Sequence, residues 1–224
     1  MAKVISLNAN PARSSPAEPL EPLADLRFRS LIGPEQWALL PAAVQKRFSK
    51  RLGYGASVVY SGEIVECEMN RAGWLLAQVC RLVGGPLPVS RDIEVPAAVI
   101  VTEDEATGGQ FWTRLYGHNR GFPQVIHSSK RFAGETGLEE YLGAGVGIAL
   151  TLSVEDGALH FHSDHYFIQI LGRRLRIPRW LSPGDLTVSH VDCNDGCFAF
   201  VLDLTHPKFG PLIRQTGLFH DQKE

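Results

Sequence analysis

No run of apolar residues in the chain approaches the roughly eighteen that a membrane-crossing helix needs. Met1 to Asn10 carries one lysine and no apolar stretch of signal-peptide length, so a cytoplasmic protein without an integral membrane segment is expected. Neither sign of charge dominates. The formal net charge is −2, which gives no global drive toward nucleic acid or an anionic membrane and leaves only local patches to be weighed. The 4 cysteines are too few for a disulfide framework in a chain this long. Cys67 and Cys80 sit in apolar patterns as small core residues. Cys193 and Cys197 flank Asn194-Asp195-Gly196, whose hairpin would set them nearly opposite; with no second CxxC to complete a zinc site, they are read as free thiols. Also missing are a GxSxG elbow, a Walker A loop, an HExxH pair and any internal repeat. The glycine-rich stretch from Gly143 to Gly147 leads into a strand instead of a helix, so no helix N-terminus awaits a pyrophosphate. No cofactor is expected.

What is present suffices for one domain with a substantial core. Residues 1–25 hold prolines and small polar residues with little periodicity and are read as a mobile tail, leaving 26–224 as a single domain. Gly33-Pro34 and Pro41 each open a short helix, the second running through Val44 and Phe48 to about Leu52. Ser57 to Met69 alternates as a strand, with Val65, Cys67 and Met69 on one side and Ile64, Glu66 and Glu68 on the other; Gly62 marks a bend or bulge. Asn70 caps a helix from Arg71 to Val83 that ends at Gly84-Gly85. Apolar on nearly every side, it is expected to lie buried against a sheet.

Beyond Pro88 the pattern is strand upon strand: Val95 to Glu103, Gln110 to Tyr116, Pro123 to Phe132, a long hairpin from Val146 onward, Leu186 to Asp192 and Phe198 to Thr205. No helix separates them, so the sheet is antiparallel and must curl to hide its apolar face. The fold class is α+β, mainly antiparallel β: a strongly curved sheet or incomplete barrel with N-terminal helices at one end and one helix packed on the sheet. Asp156-Gly157 supplies a two-residue loop that sets the register of the long hairpin. Val154 then faces Leu159, Leu152 faces Phe161, Leu150 faces Ser163, Ile148 faces His165 and Val146 faces Phe167. This apolar face makes His165 a core histidine. The other face pairs Ser153 with His160, Thr151 with His162, Ala149 with Asp164 and Gly147 with Tyr166.

His160, His162 and Asp164 thus project together, roughly 7 Å apart at their roots. The residues facing them are small and supply no further strong ligand, so no metal site is expected. His162 with Asp164 remains a candidate acid–base pair. Trp112, Arg114 and Tyr116 line one face of their strand, a ladder suited either to a planar or anionic ligand or to cross-strand stacking. Arg173, Arg174, Arg176 and Arg179 crowd around Leu175, Ile177 and Trp180, and are read as solvated arginines that could also meet an anion. Glu63, Glu66, Glu68, Glu139 and Glu140 are taken as solvent-facing.

The segments WALLPAAV at 37–44, FWTRLYG at 111–117, LGRRLRIPRWLSP at 171–183 and HPKFGPLI at 206–213 together resemble an uncharacterised bacterial domain family. That family is often fused behind a saccharopine-dehydrogenase-like Rossmann domain, and the likeness runs from about Phe28 to Phe219. The resemblance carries no activity to particular residues. It implies that a redox partner, where one is needed, is a separate Rossmann-type chain. The leading expectation is a binding module for a small, mainly apolar molecule with one polar or anionic group, lined by Trp112, Arg114, Tyr116, His160, His162 and Tyr166. Room for it would come from Gly145, Gly147, Ala149 and Thr151. Two rivals are a metal-independent isomerase or cyclase using His162 and Asp164, and a scaffold or dimerisation domain, possible as a homo-oligomer, with Trp180 to Pro183 as contact surface.

Overall fold

Asp156 (φ 50°) and Gly157 (φ 75°) turn the chain between Glu155 and Ala158, the pair of positive φ angles that a tight two-residue hairpin loop requires. The computed structural model describes residues 25–53 and 57–221. Of the expected tail, all but Asp25 lies outside these residues. Asp25 itself is buried and anchored: its carboxylate accepts from Arg27, and its N–H donates to the Ser49 carbonyl.

Three short helices come first: α1 (Arg27–Ile32), α2 (Pro34–Ala38) and α3 (Ala42–Phe48). Proline opens α2 at its first position, and Pro41 stands just before α3, as expected; α1 lacks such a signal and was not foreseen. Strand β1 (Ser57–Met69) leads into α4 (Arg71–Cys80), which one 3-10 turn extends to Val83. Then follow β2 (Val95–Asp104), β3 (Gly109–Tyr116), β4 (Gln124–Arg131), β5 (Glu139–Gly143), β6 (Val146–Glu155), β7 (Ala158–Ile170), β8 (Arg173–Arg176), β9 (Asp185–Asp192), β10 (Cys197–His206) and β11 (Gly210–His220). A second 3-10 turn, Arg179–Leu181, sits between β8 and β9.

The strands pair antiparallel in the order β6-β5-β4-β3-β2-β1-β11-β10-β9-β7-β8, and β6 also pairs with β7. That last pairing closes the sheet. The result is a ten-stranded barrel with β8 added on the β7 edge, instead of an open or incomplete one. Among the described residues closure leaves no long unpaired edge in the barrel, and it directs the apolar side of its ten strands inward, while β8 stays exposed. Strands β5, β8 and β11 were not anticipated. In β11 the inward positions are Ile213, Gln215, Gly217 and Phe219, so a glutamine and a glycine interrupt the apolar alternation that would have marked it.

Two bulges change which residues face the interior. In β1 the register slips between Ile64 and Glu66, not at Gly62. Ile64, Cys67 and Met69 therefore share the inner side, while Glu66 stays outside with Arg214 and Thr216. Gly62 answers a different need: a Cβ there would collide with the Leu218 carbonyl of the neighbouring strand. In β7 the register slips at Asp164, so Ala149 faces His165, Ile148 faces Tyr166 and Gly147 faces Phe167. His165 is thereby moved off the core side, and Tyr166 is turned inward.

Each end of the barrel has its own closure. At one end α1 to α3 pack Phe28, Trp37, Val44 and Phe48 over Leu150, Leu159 and Phe161. Phe28 meets Phe48 and Phe132 edge-on at 5.3 and 5.0 Å, and full burial of such a ring stabilises by about 1.5–3 kcal/mol. Arg47 ties α3 down through Asp192 (3.0 Å) and Asp221 (2.8 Å). At the opposite end α4 lies against β11. The Asn70 side chain accepts from the Gly73 N–H at 2.8 Å and donates to the Pro211 carbonyl at 2.6 Å, capping the helix and holding it to the sheet together. Gly73 and Ala77 are its fully buried residues, whereas Trp74, Leu75 and Val79 are exposed. The helix is thus a lid with one apolar face outward, not a buried element. It was expected buried because an all-round apolar sequence leaves no polar face by which to choose.

Candidate functional site

Alternation along β3 aims Gln110, Trp112, Arg114 and Tyr116 at the barrel axis, since Arg114 faces the inward Val99 and Ile126, and Trp112 faces Val101 and Ser128. On β4 the same face carries Ile126, Ser128 and Lys130; Lys130 stands opposite Glu140 of β5, which in turn stands opposite Ile148 of β6, and Ile148 opposite Tyr166 of β7. One level of the barrel therefore collects a lysine, a glutamate and a tyrosine. The interior here is a cavity of about 110 Å³, several times the space one water needs. Its walls are mostly apolar, with Val99, Phe161, Val188, Phe200 and Phe219 around it and Leu87 of the α4–β2 connection at its α4 end.

Into these walls the sequence sets three charges. Lys130 Nζ donates to Glu140 Oε2 at 2.7 Å, and Arg114 reaches Glu140 Oε1 at 3.2 Å while also donating to Ser128 Oγ. Lys130 lies 4.8 Å from the centre of the Trp112 ring and 5.4 Å from that of Phe161, distances at which an aromatic face attracts a cation. Burial by itself would raise the Glu140 pKa, but the charges of Lys130 and Arg114 bring it down to about 2. Burial lowers that of Lys130, Glu140 opposes this, and Arg114 adds to it. Among the described residues no second carboxylate is paired with either cation. The cluster therefore sets two basic groups against one carboxylate.

Of the residues expected to line a site, Trp112, Arg114, Tyr116 and Tyr166 border this cavity. Burial raises the pKa of both tyrosines, keeping them neutral hydrogen-bonding groups. His160 and His162 lie elsewhere, on the outer face. They stack on each other at 5.8 Å and bond across the sheet, His160 to Ser189 (2.8 Å) and His162 to Ser153 (2.9 Å) and Thr187 (3.1 Å). Asp164 bonds His165 at 2.6 Å and not His162, because the bulge carries it out of line. Nor do the small residues leave open space: the Phe167 ring lies across Gly147.

Lys130 and Glu140 were missed as site residues. Glu139 and Glu140, taken as solvent-facing, are buried, Glu140 against Lys130 and Glu139 against Arg174 (2.8 Å) and the Tyr141 hydroxyl (2.9 Å). The available signal was the two-residue step that puts Lys130 in line with Ile126. His190 was missed as well; it is 1% exposed, stacked on Phe198 at 4.8 Å, and neither ring nitrogen has a hydrogen-bond partner. Burial pushes its pKa down to about 3, holding it neutral. Cys193 and Cys197 are free thiols. Among the described residues no group of three His, Cys, Asp or Glu side chains could hold a metal ion, and no helix is long and apolar enough to cross a membrane.

Residues 40–219 match a family described as a domain of unknown function, DUF4166. No curated protein and no solved structure matches the chain.

Proposed function

The chain belongs to the DUF4166 family, and we propose that in this member the barrel interior is a binding site for a small, mainly apolar molecule carrying one anionic group. One observation supports this above the others: the buried Lys130 and the half-buried Arg114 share the single carboxylate of Glu140 in an otherwise apolar cavity. Holding an ammonium group in such surroundings is costly, and burial lowers the Lys130 pKa accordingly. An anionic group placed between Arg114 and Lys130 would offset that cost, while the aromatic and aliphatic walls take up the apolar remainder. Tyr116 and Tyr166 are the neutral donors beside it.

An acid–base enzyme built on His162 and Asp164 has less support, since the two are not hydrogen-bonded to each other and both lie outside the cavity. Native mass spectrometry of freshly purified protein tests the binding reading. The expected result is a mass excess of one small acid that a Lys130→Met variant does not retain. An unliganded mass that stays unchanged when medium-chain carboxylates are added would overturn it.

A further inference from the structure

Antiparallel alternation brings the C-terminal ends of β1, β3, β5, β7 and β10 to the same end of the barrel as α4, so the connectors that follow them share one rim. The connectors after β1, β3, β7 and β10 expose large apolar side chains at their tips, Leu82 after α4, Phe122 between β3 and β4, Leu171 between β7 and β8, and Phe209 between β10 and β11; Trp180 stands in the β8–β9 connector, which returns to this rim where Asp185 pairs with Thr205. These apolar side chains are 62% to 98% exposed, and on the helix itself Trp74, Leu75 and Val79 add to them. Each tip has a basic residue within two positions: Arg81, Arg120, Arg173, Arg179 and Lys208 respectively.

The acidic residues are distributed the other way. Residues 70–85, 117–123, 171–184 and 207–210 contain no Asp or Glu. Connectors at the far end carry Glu105, Glu135, Asp156 and Asp195. Glu68, Glu94 and Asp185 are exposed acidic groups at strand ends beside the rim, Asp164 is exposed next to Arg176, and Asp92 bonds His118 and Asn119 of the 117–123 connector.

We infer that this rim docks onto the surface of an anionic lipid bilayer. Isolated apolar tips beside arginine or lysine, on separate loops around a lid helix, fit a medium that yields to each tip and supplies phosphate to each cation. A protein partner would need a matching hollow for every tip. The inference stands on the rim alone and does not require the cavity to bind anything, although the cavity's Cys80, Pro86 and Pro183 walls lie in the segments beside these tips.

Vesicle co-sedimentation of the full chain provides the test, with phosphatidylcholine vesicles set against vesicles containing about one-third phosphatidylglycerol. Binding to the anionic vesicles is expected to exceed that to the zwitterionic ones by about tenfold or more, and to fall by a similar factor in an Arg173→Glu/Arg179→Glu variant. A Leu171→Ser/Trp180→Ser variant should also lose binding while keeping the wild-type unfolding transition. An Arg114→Met/Lys130→Met variant should bind vesicles as the wild type does, which separates this surface from the cavity. Absence of binding to anionic vesicles, or binding unaffected by charge reversal, would refute the inference. A stable dimer that Leu171→Ser/Trp180→Ser dissolves, without vesicle binding by the wild type, would assign the rim to a second copy of the chain.

Discussion

Single side chains carry most of the surprises in this barrel, and all of them are polar groups placed where apolar ones would suffice. His190 is the plainest case. Its pKa is held near 3 against an ordinary 6.5, so the unfolded chain takes up a proton below pH 6.5 that the folded chain refuses. The sign follows: stability contributed by neutral His190 is complete above pH 6.5 and is lost as pH falls toward 3, at about 1.4 kcal/mol per pH unit. His162, lowered by burial and by His160, acts in the same direction. Between pH 6.5 and 4.5 the slope is due chiefly to His190; below 4.5 Glu140 adds to it. A His190→Phe variant should be about 1–3 kcal/mol more stable at neutral pH and should show a flatter profile over that window in urea melts. An unchanged slope would mean that other groups titrate. The sequence displayed the inward face of Trp112, Arg114 and Tyr116 openly, because two-residue alternation needs no partner to be seen. Lys130 and Glu140 stayed hidden because charge on a strand suggests solvent until the opposing strand is known, and β5 was not recognised.

Among the elements, the β6–β7 hairpin and helix α4 matter most. Asp156-Gly157 fixed the hairpin register correctly as far as Leu150 and Ser163; beyond that the bulge at Asp164 exchanged the faces, sending His165 outward and Tyr166 inward. No glycine or proline marks this slip, so local sequence could not announce it. It is seated between β6 pairs on both of its sides, with the β9 pairing ending at His162 and the β8 pairing beginning at Phe167 on the other edge. Helix α4 was legible at both ends, from Asn70 to Gly84. Replacing Asn70 by alanine removes the cap and the bond to Pro211, and should cost about 1–2 kcal/mol in thermal or chemical unfolding. A change below a few tenths would show that α4 is held by Ala77 and its neighbours alone.

For the molecule as a whole, antiparallel curvature was evident from strands that follow one another without helices. Closure was not, since it depends on β11 and on the β1–β11 and β7–β9 pairings, contacts between residues far apart in the chain. The closed barrel separates what sequence proximity had mixed: the histidine face outside, the Arg114–Lys130–Glu140 cluster inside. Its two ends differ as well, one capped by α1 to α3 and rich in carboxylates, the other rimmed by apolar and basic residues. The most direct test of the central claim is calorimetric titration of the protein with octanoate and with octanamide, which share a chain and differ in charge. Octanoate should bind at least about tenfold more tightly than octanamide to the wild type, and that preference should vanish in Arg114→Met/Lys130→Met. Equal affinities for the two in the wild type, or a preference that survives the double substitution, would contradict the account.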